Sequence, residues 1–366
     1  MKLAAPVVHP DRPDQQLLRT GFVLDNALIG RMRDMHIEFL YVEFPSLDHL
    51  DKHLTVYLSP ARQQVLTQIK QAIGCVQGQT RPRISYSDYC QTTRELITTL
   101  MEQGKNPIYL DQMARLGADA VAHGGAVAHL ALLLGLIVEQ RKRLSAQRAK
   151  DLVNLGVAGM LHDIGLSKLP EPLQKFSEAD PPDNDKHFEE WKTHVRLGYE
   201  AIRESVEPTA AAAVLQHHQH FDGTGFPRLH AEDAMRGAMD GQRIHIFARI
   251  LLCANLYDRL ASPVAGQRRS SADVHLLLRR KYAAWIDPIV LSVLQQVVPP
   301  FAPGSRVKLS DGTRALVTDV DPANPFQPTV RRLAEGAWTP IDPPVDLRYE
   351  KGLAIDDPLI AELQAA

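Results

Sequence analysis

A histidine followed directly by an aspartate, His162-Asp163, ends the apolar stretch Gly159-Met160-Leu161 and leads into Ile164-Gly165. Adjacent residues on a helix point about 100° apart and ordinarily serve different faces. A divalent metal at the helix end is one partner that both can reach. Imidazole offers a neutral nitrogen and carboxylate a hard oxygen, a mixed set suited to iron, manganese or zinc. Ten of the 15 histidines lie between His123 and His245. Asp119 and His123, four residues apart, share one helix face. His194 lies beside Trp191, Val195 and Gly198, and His217-His218 closes an alanine-rich helix. With Asn255, five helices each bring an inward polar group near an end. A lone buried histidine is ordinarily a hydrogen-bonded core residue, but several buried together with carboxylates are costly unless a cation is shared. His129, His187, His220, His230 and His245 take no part in this reading, and His36, His49 and His53 read as surface or packing residues.

Elements must hold these groups. From 107 to about 298 the chain reads as helical. Leu110, Met113, Leu116, Ala120, Val127, Ala131 and Leu134 form an apolar stripe. Helices are expected over 146–161, through Phe188, Trp191, Val195, Gly198 and Ile202 as one piece, from Pro208 through Ala210 to His218, and over 242–260, 272–284 and 288–298. Gly165 suits a left-handed helix stop, and Pro208 a first helical turn. Residues 1–106 read as a small α/β unit of sensory or dimerisation type. Its opening, with Pro6, Pro10 and Pro13, is expected as loop, Ile37–Val42 as a buried strand, and 47–54, 60–73 and 86–101 as helices. In the tail, 301–366, alternating runs flank Asp311-Gly312, a strong hairpin signal, so a short β-rich appendage is expected. The fold class is mainly α.

Composition narrows the field. The chain has 366 residues, 45% hydrophobic and 23% charged, with net charge −2. That is room for two or three domains, and no global basic field invites a nucleic-acid polymer. Cys75, Cys90 and Cys253 form no CxxC pair, so reduced thiols are expected. The apolar run Ala126–Val138 is short for a bilayer span. A cytoplasmic protein without membrane insertion is expected.

The order of these motifs resembles the HD-GYP family, the branch of HD-domain phosphohydrolases that hydrolyses cyclic di-GMP. The match runs through His123-Gly-Gly-Ala-Val127, Leu161-His162-Asp163-Ile164-Gly165, His194 with Gly198, His217-His218, Asp222-Gly223-Thr224-Gly225-Phe226-Pro227, and Ala248-Arg249-Ile250 through Asn255 to Asp258. The resemblance implies a helical catalytic domain with two, in some members three, divalent ions, most often iron or manganese. It implies one ion at His123, His162, Asp163 and Asn255. Asp163 would bridge to a second at His194, His217 and His218, and Asp119 matches a carboxylate that supports a third. The metals would activate water against phosphorus and stabilise charge on phosphate oxygens. Asp222, Gly223, Gly225, Phe226 and Pro227 would shape the substrate loop.

The departures are specific. Gly-Tyr-Pro is Gly225-Phe226-Pro227 here, the glutamate after the paired histidines is Gln219, and the last metal aspartate is Asn255. Leu166 replaces a lysine, with Lys168 the nearest substitute as a catalytic group. The phosphate-gripping Arg-Pro-Tyr segment is missing, with Arg268 and Arg269 the nearest candidates. Asn255 brings no charge, so the first site is expected to bind its ion more weakly. The reading is a cyclic di-GMP phosphodiesterase yielding pGpG or GMP. Its alternatives are a degenerate relative that binds metal or nucleotide but signals through protein contacts, and an HD-type hydrolase of another phosphate ester; a homodimer or signalling-protein partners are expected.

Overall fold

The structure, a computed structural model, describes residues 2–4, 6–9, 12–35, 37, 40, 42–43, 60–78, 84–103, 120–140, 151–228, 239–263, 269–335, 339–341 and 343–365. The opening is not loop. Strands β1 (Val7–His9) and β2 (Arg12–Leu18) pair antiparallel. An isolated two-stranded ribbon tolerates proline because it is all edge. Helix α1 (Asn26–Asp34) follows, capped by Asp25 Oδ1 accepting from the Leu28 amide at 2.7 Å. Leu3, Val7, Leu24 and Met32 form a small apolar cluster there. Of the expected strand 37–42, Val42 makes an isolated bridge to Leu3. The expected helix over 47–54 lies outside the described residues.

Helices α2 (Pro60–Gly78) and α3 (Tyr86–Gln103) lead to α4 (Ala120–Gln140). At 21 residues and a mean hydropathy of 2.0 over its most apolar stretch, α4 is long and apolar enough to cross a bilayer, longer than the run expected from sequence, and 89% of that stretch is buried. It is the central rod of a bundle. Helices α2, α5 (Leu152–Leu161), α9 (Ile246–Ala261) and α11 (Pro288–Val297) pack around it. A helix apolar on every side demands such surroundings, and each fully buried leucine or valine contributes roughly 1.5–3 kcal/mol. Val65 and Ile69 of α2 and Leu96 of α3 share one core with Val127 and Leu134 of α4. That core therefore runs across the boundary expected at 106.

The stretch expected as one helix around Trp191 is two, α6 (Asp185–Lys192) and α7 (His194–Ile202), separated by Thr193. The Thr193 amide bonds the Glu190 carbonyl at 3.1 Å, closing α6 with a tight turn. Helix α8 (Pro208–Gln216) starts with proline in its first turn, and the Glu207 side chain accepts from the Thr209 amide at 2.7 Å. Helix α10 (Ser271–Leu277) widens into a π-type turn, Leu278–Tyr282.

In the tail, β3 (Arg306–Lys308), β4 (Arg314–Asp319), β5 (Thr329–Arg332) and β6 (Val345–Asp346) form an antiparallel sheet in chain order. The expected hairpin turns at Gly312, whose φ of 85° suits glycine. Ala315, Val317 and Val330 pack against Ala272 of α10 and Leu359 and Ile360 of α12 (Pro358–Ala365).

Gly165 needs a different account from the one expected. It lies in a 3-10 turn, Ile164–Lys168, and is not among the glycines of positive φ. A Cβ at this position would collide with the backbone of His194 and Gly198. The glycine is there so that the turn after Asp163 can touch the start of α7.

Candidate metal centre

Three histidines follow helix ends, and the ends orient them. The last carbonyls of a helix lack intrahelical partners. His162 Nδ1 bonds the Gly159 carbonyl in the last turn of α5 at 2.9 Å. His194 Nδ1 bonds the Trp191 carbonyl closing α6 at 2.8 Å, and His217 Nδ1 the Val214 carbonyl of α8 at 2.7 Å. A carbonyl only accepts, so each Nδ1 carries the proton and each Nε2 is left with a bare lone pair. Carboxylates do the same for the other two. Asp258 Oδ2 lies 2.6 Å from His123 Nδ1, and Glu178 Oε2 lies 2.7 Å from His218 Nδ1.

The five Nε2 atoms then point inward. His123 and His162 face each other at 3.2 Å, and His194 and His217 at 3.5 Å. His218 Nε2 and Asn255 Oδ1 are buried and find no hydrogen-bond partner among the described residues. Asp163 divides its oxygens between the two groups. Oδ2 lies 3.5 Å from His123 Nε2 and 3.4 Å from His162 Nε2. Oδ1 lies 3.5 Å from His194 Nε2 and 3.6 Å from His217 Nε2. Two half-sites result: His123, His162 and Asp163, and Asp163, His194, His217 and His218. Within each, the ligating atoms lie within 4.8 Å of one another. Acceptors aimed at acceptors in a buried space repel; a cation between them removes that cost.

The charge states suit a metal. Burial, with Arg259 nearby, pushes His123 down to about 4. Burial, with His218 beside it, does the same to His217, and burial holds His194 well below the ordinary imidazole value. Burial works against ionisation of Asp163, yet His162, His217 and Arg259 hold its carboxyl well below the usual range. Glu178 is held down to about 2, against the effect of its burial, by His218 and His220.

The glycine-rich loop after α8 folds back on these ligands. The Phe226 amide bonds the His218 carbonyl at 3.0 Å. A Cβ on Gly225 would strike the backbone of His218 and His220. The Phe226 ring therefore stacks on His218 at 4.6 Å and 14°, with Trp191 edge-on at 5.7 Å. Leu166, where a lysine was expected from the resemblance, joins Trp191, Val195 and Phe226 in an apolar cluster. Asp222 is exposed and accepts from the Thr224 amide at 2.9 Å, across Gly223, whose φ is 81°. The cis peptide is Phe226-Pro227.

Other sequence candidates lie elsewhere. Lys168 is exposed. Arg269 is exposed and donates to the Leu260 carbonyl at the end of α9 at 2.8 Å. Asp119 and Arg268 lie outside the described residues. Four contributors were not read from the sequence. Arg259 Nη2 reaches Asp163 Oδ2 at 3.0 Å; its position four residues after Asn255, on the same helix face, is a signal that was available. Asp258 backs His123. Glu178 comes from an irregular loop with no periodic signal. His220, given no role above, bonds Glu178 Oε1 at 2.8 Å and stacks on Trp285 at 3.8 Å. A narrow cavity is lined by Asp163, Glu178, His218, Asn255 and Arg259, among them residues of both half-sites.

Residues 112–290 match the HD domain family. Cyclic di-GMP phosphodiesterase PA4108 of Pseudomonas aeruginosa is 25% identical over 179 residues, covering 48% of this chain and 40% of that protein. The chain thus spans less than half the length of that relative. The structure of Bd1817, a HDG"Y"P protein from Bdellovibrio bacteriovorus, aligns with a TM-score of 0.46 at 15% identity, covering 81% of this chain and 95% of that one.

Proposed function

We propose, from the premise that this chain is an HD-domain protein of the HD-GYP family, that it is a metal-dependent phosphodiesterase acting on cyclic di-GMP. The observation that carries the reading is the convergence of buried Nε2 lone pairs on the two oxygens of Asp163. His123, His162, Asp163 and Asn255 are the ligands of the first half-site; Asp163, His194, His217 and His218 are those of the second. A histidine-rich set with one shared carboxylate suits divalent iron or manganese. Such ions, when bound, make water nucleophilic near neutral pH and stabilise charge on phosphate oxygens.

The chain's own groups do the rest. Asp163 stays ionised and ties the half-sites together. Asp258 and Glu178 fix the rings of His123 and His218, holding each proton on Nδ1. Phe226, Trp191 and Leu166 wall the second half-site with apolar surface and exclude bulk water. The loop from Asp222 to Pro227 shapes the substrate side. The products are pGpG or GMP. Residues 107–300 form the catalytic domain, with α2 and α3 sharing its core; the rest of 1–106 supplies a sensory or dimerisation unit, and 301–366 a β-rich extension.

The test is purification without chelators, loading with iron(II) or manganese(II), and chromatography of the products from cyclic di-GMP. Turnover abolished by His194→Ala supports the reading. A metal-loaded protein that binds the nucleotide without turnover overturns it. The observation favouring that second outcome, a regulatory binding protein, is the neutral Asn255 beside Arg259 in the first half-site.

A further inference from the structure

Asn255 and Arg259 stand one turn apart on α9 and line the same cavity. The Arg259 side chain is 11% exposed, and its Nη2 lies 3.0 Å from Asp163 Oδ2. That oxygen is the one facing His123 and His162. The partner oxygen, Oδ1, faces His194 and His217. The half-sites are therefore unequal. The first has two imidazoles, a neutral amide and an oxygen already paired with a guanidinium. The second has three imidazoles and the free oxygen, with Glu178 behind His218.

A guanidinium keeps its charge at all working pH values. It satisfies an anionic oxygen as a cation does and repels a second cation brought to the same oxygen. We infer that Arg259 is the resident cation of the first half-site: the protein holds one divalent ion tightly, at the second half-site, and Arg259 supplies the other positive charge. Arg259 also lines the cavity, and the guanidinium donors not spent on Asp163 are the ones that would meet a phosphodiester oxygen. This takes the part left open by the missing Arg-Pro-Tyr segment. The inference rests on the phosphodiesterase reading only for the identity of that phosphate.

The experiment counts ions on the full chain, without substrate. Protein loaded with manganese(II) is desalted and analysed for metal, with electron paramagnetic resonance reporting coupled against isolated ions. Wild type is expected to keep about one isolated ion per chain, Arg259→Met about two coupled ions, and Arg259→Lys about one. His162→Ala should keep the tight ion and His194→Ala lose it. Two ions kept equally by the wild type would overturn the inference. So would one ion kept by a folded Arg259→Met, because Asn255 alone would then explain the weak half-site. Should Arg259→Met not fold, as judged by circular dichroism, Arg259→Gln gives the same readout. Equilibrium binding of cyclic di-GMP to the ion-loaded protein is expected to weaken at least tenfold in Arg259→Met and less in Arg259→Lys; equal weakening in both would refute the phosphate role. Absence of hydrolysis by the wild type would defeat the catalytic reading while leaving the ion count standing.

Discussion

His123 Nε2 and His162 Nε2 lie 3.2 Å apart, and both are bare lone pairs in the neutral tautomers that their Nδ1 partners select. Their Nδ1 atoms are committed, to Asp258 and to the Gly159 carbonyl. The two neutral rings thus repel unless a cation or a proton comes between them, and the consequences for the centre are measurable.

Metal removal should destabilise the fold. An ion that binds the native state alone, present at a hundred times its Kd, contributes about 2.7 kcal/mol. Chelation is expected to lower the unfolding midpoint reversibly in denaturant titrations. An unchanged midpoint would mean that the histidines hold no ion.

The chelated protein should lose stability as pH falls. His123 and His217 have folded values of about 4, below the ordinary 6.5 of an unfolded imidazole. Between these limits the unfolded chain binds more protons, so stability rises with pH across that window and levels off above about 6.5. Midpoints measured from pH 4.5 to 8 test this. A flat profile below 6.5 would show that the rings are not buried neutral.

Glu178→Gln should weaken the second half-site. The carboxylate Oε2 sits 2.7 Å from His218 Nδ1 and holds that ring's lone pair inward. Losing such a backing group typically costs about 10–100-fold in metal affinity. Competition with a coloured chelator measures it. Full affinity in the variant would reduce Glu178 to packing.

Asn255→Asp should strengthen the first half-site by adding an anionic oxygen where a neutral one, Asn255 Oδ1, now lies buried with no hydrogen-bond partner among the described residues. A second ion is expected to bind at least tenfold more tightly in calorimetric titration with manganese(II). No change would show that the Asn255 side chain does not reach the ion.

Gly165→Ala should destabilise the protein without replacing any ligating side chain, since the new methyl would meet the backbone of His194 and Gly198. Overpacking of this kind costs about 1–3 kcal/mol, and displacement of α7 would lower metal retention as well. A variant with wild-type stability would indicate that α7 shifts freely.

Sequence alone carried the residue types and their order. His162-Asp163, the paired His217-His218 and the hairpin glycine at 312 are local signals, written in neighbouring residues, and so is the apolar stripe of α4. What depended on tertiary structure was every relationship between distant segments. Glu178 reaches His218 and His220 from an irregular loop, Arg259 meets Asp163 across ninety-six positions, and Gly165 is required by the backbone of another helix rather than by its own φ. The split at Thr193 belongs with these, because apolar periodicity continues across it and the turn shows only in the backbone hydrogen bonds. Helix periodicity selects which face turns inward, but the depth and rotation at which helices meet are set by packing. Those two quantities decide which oxygen of Asp163 faces which imidazole.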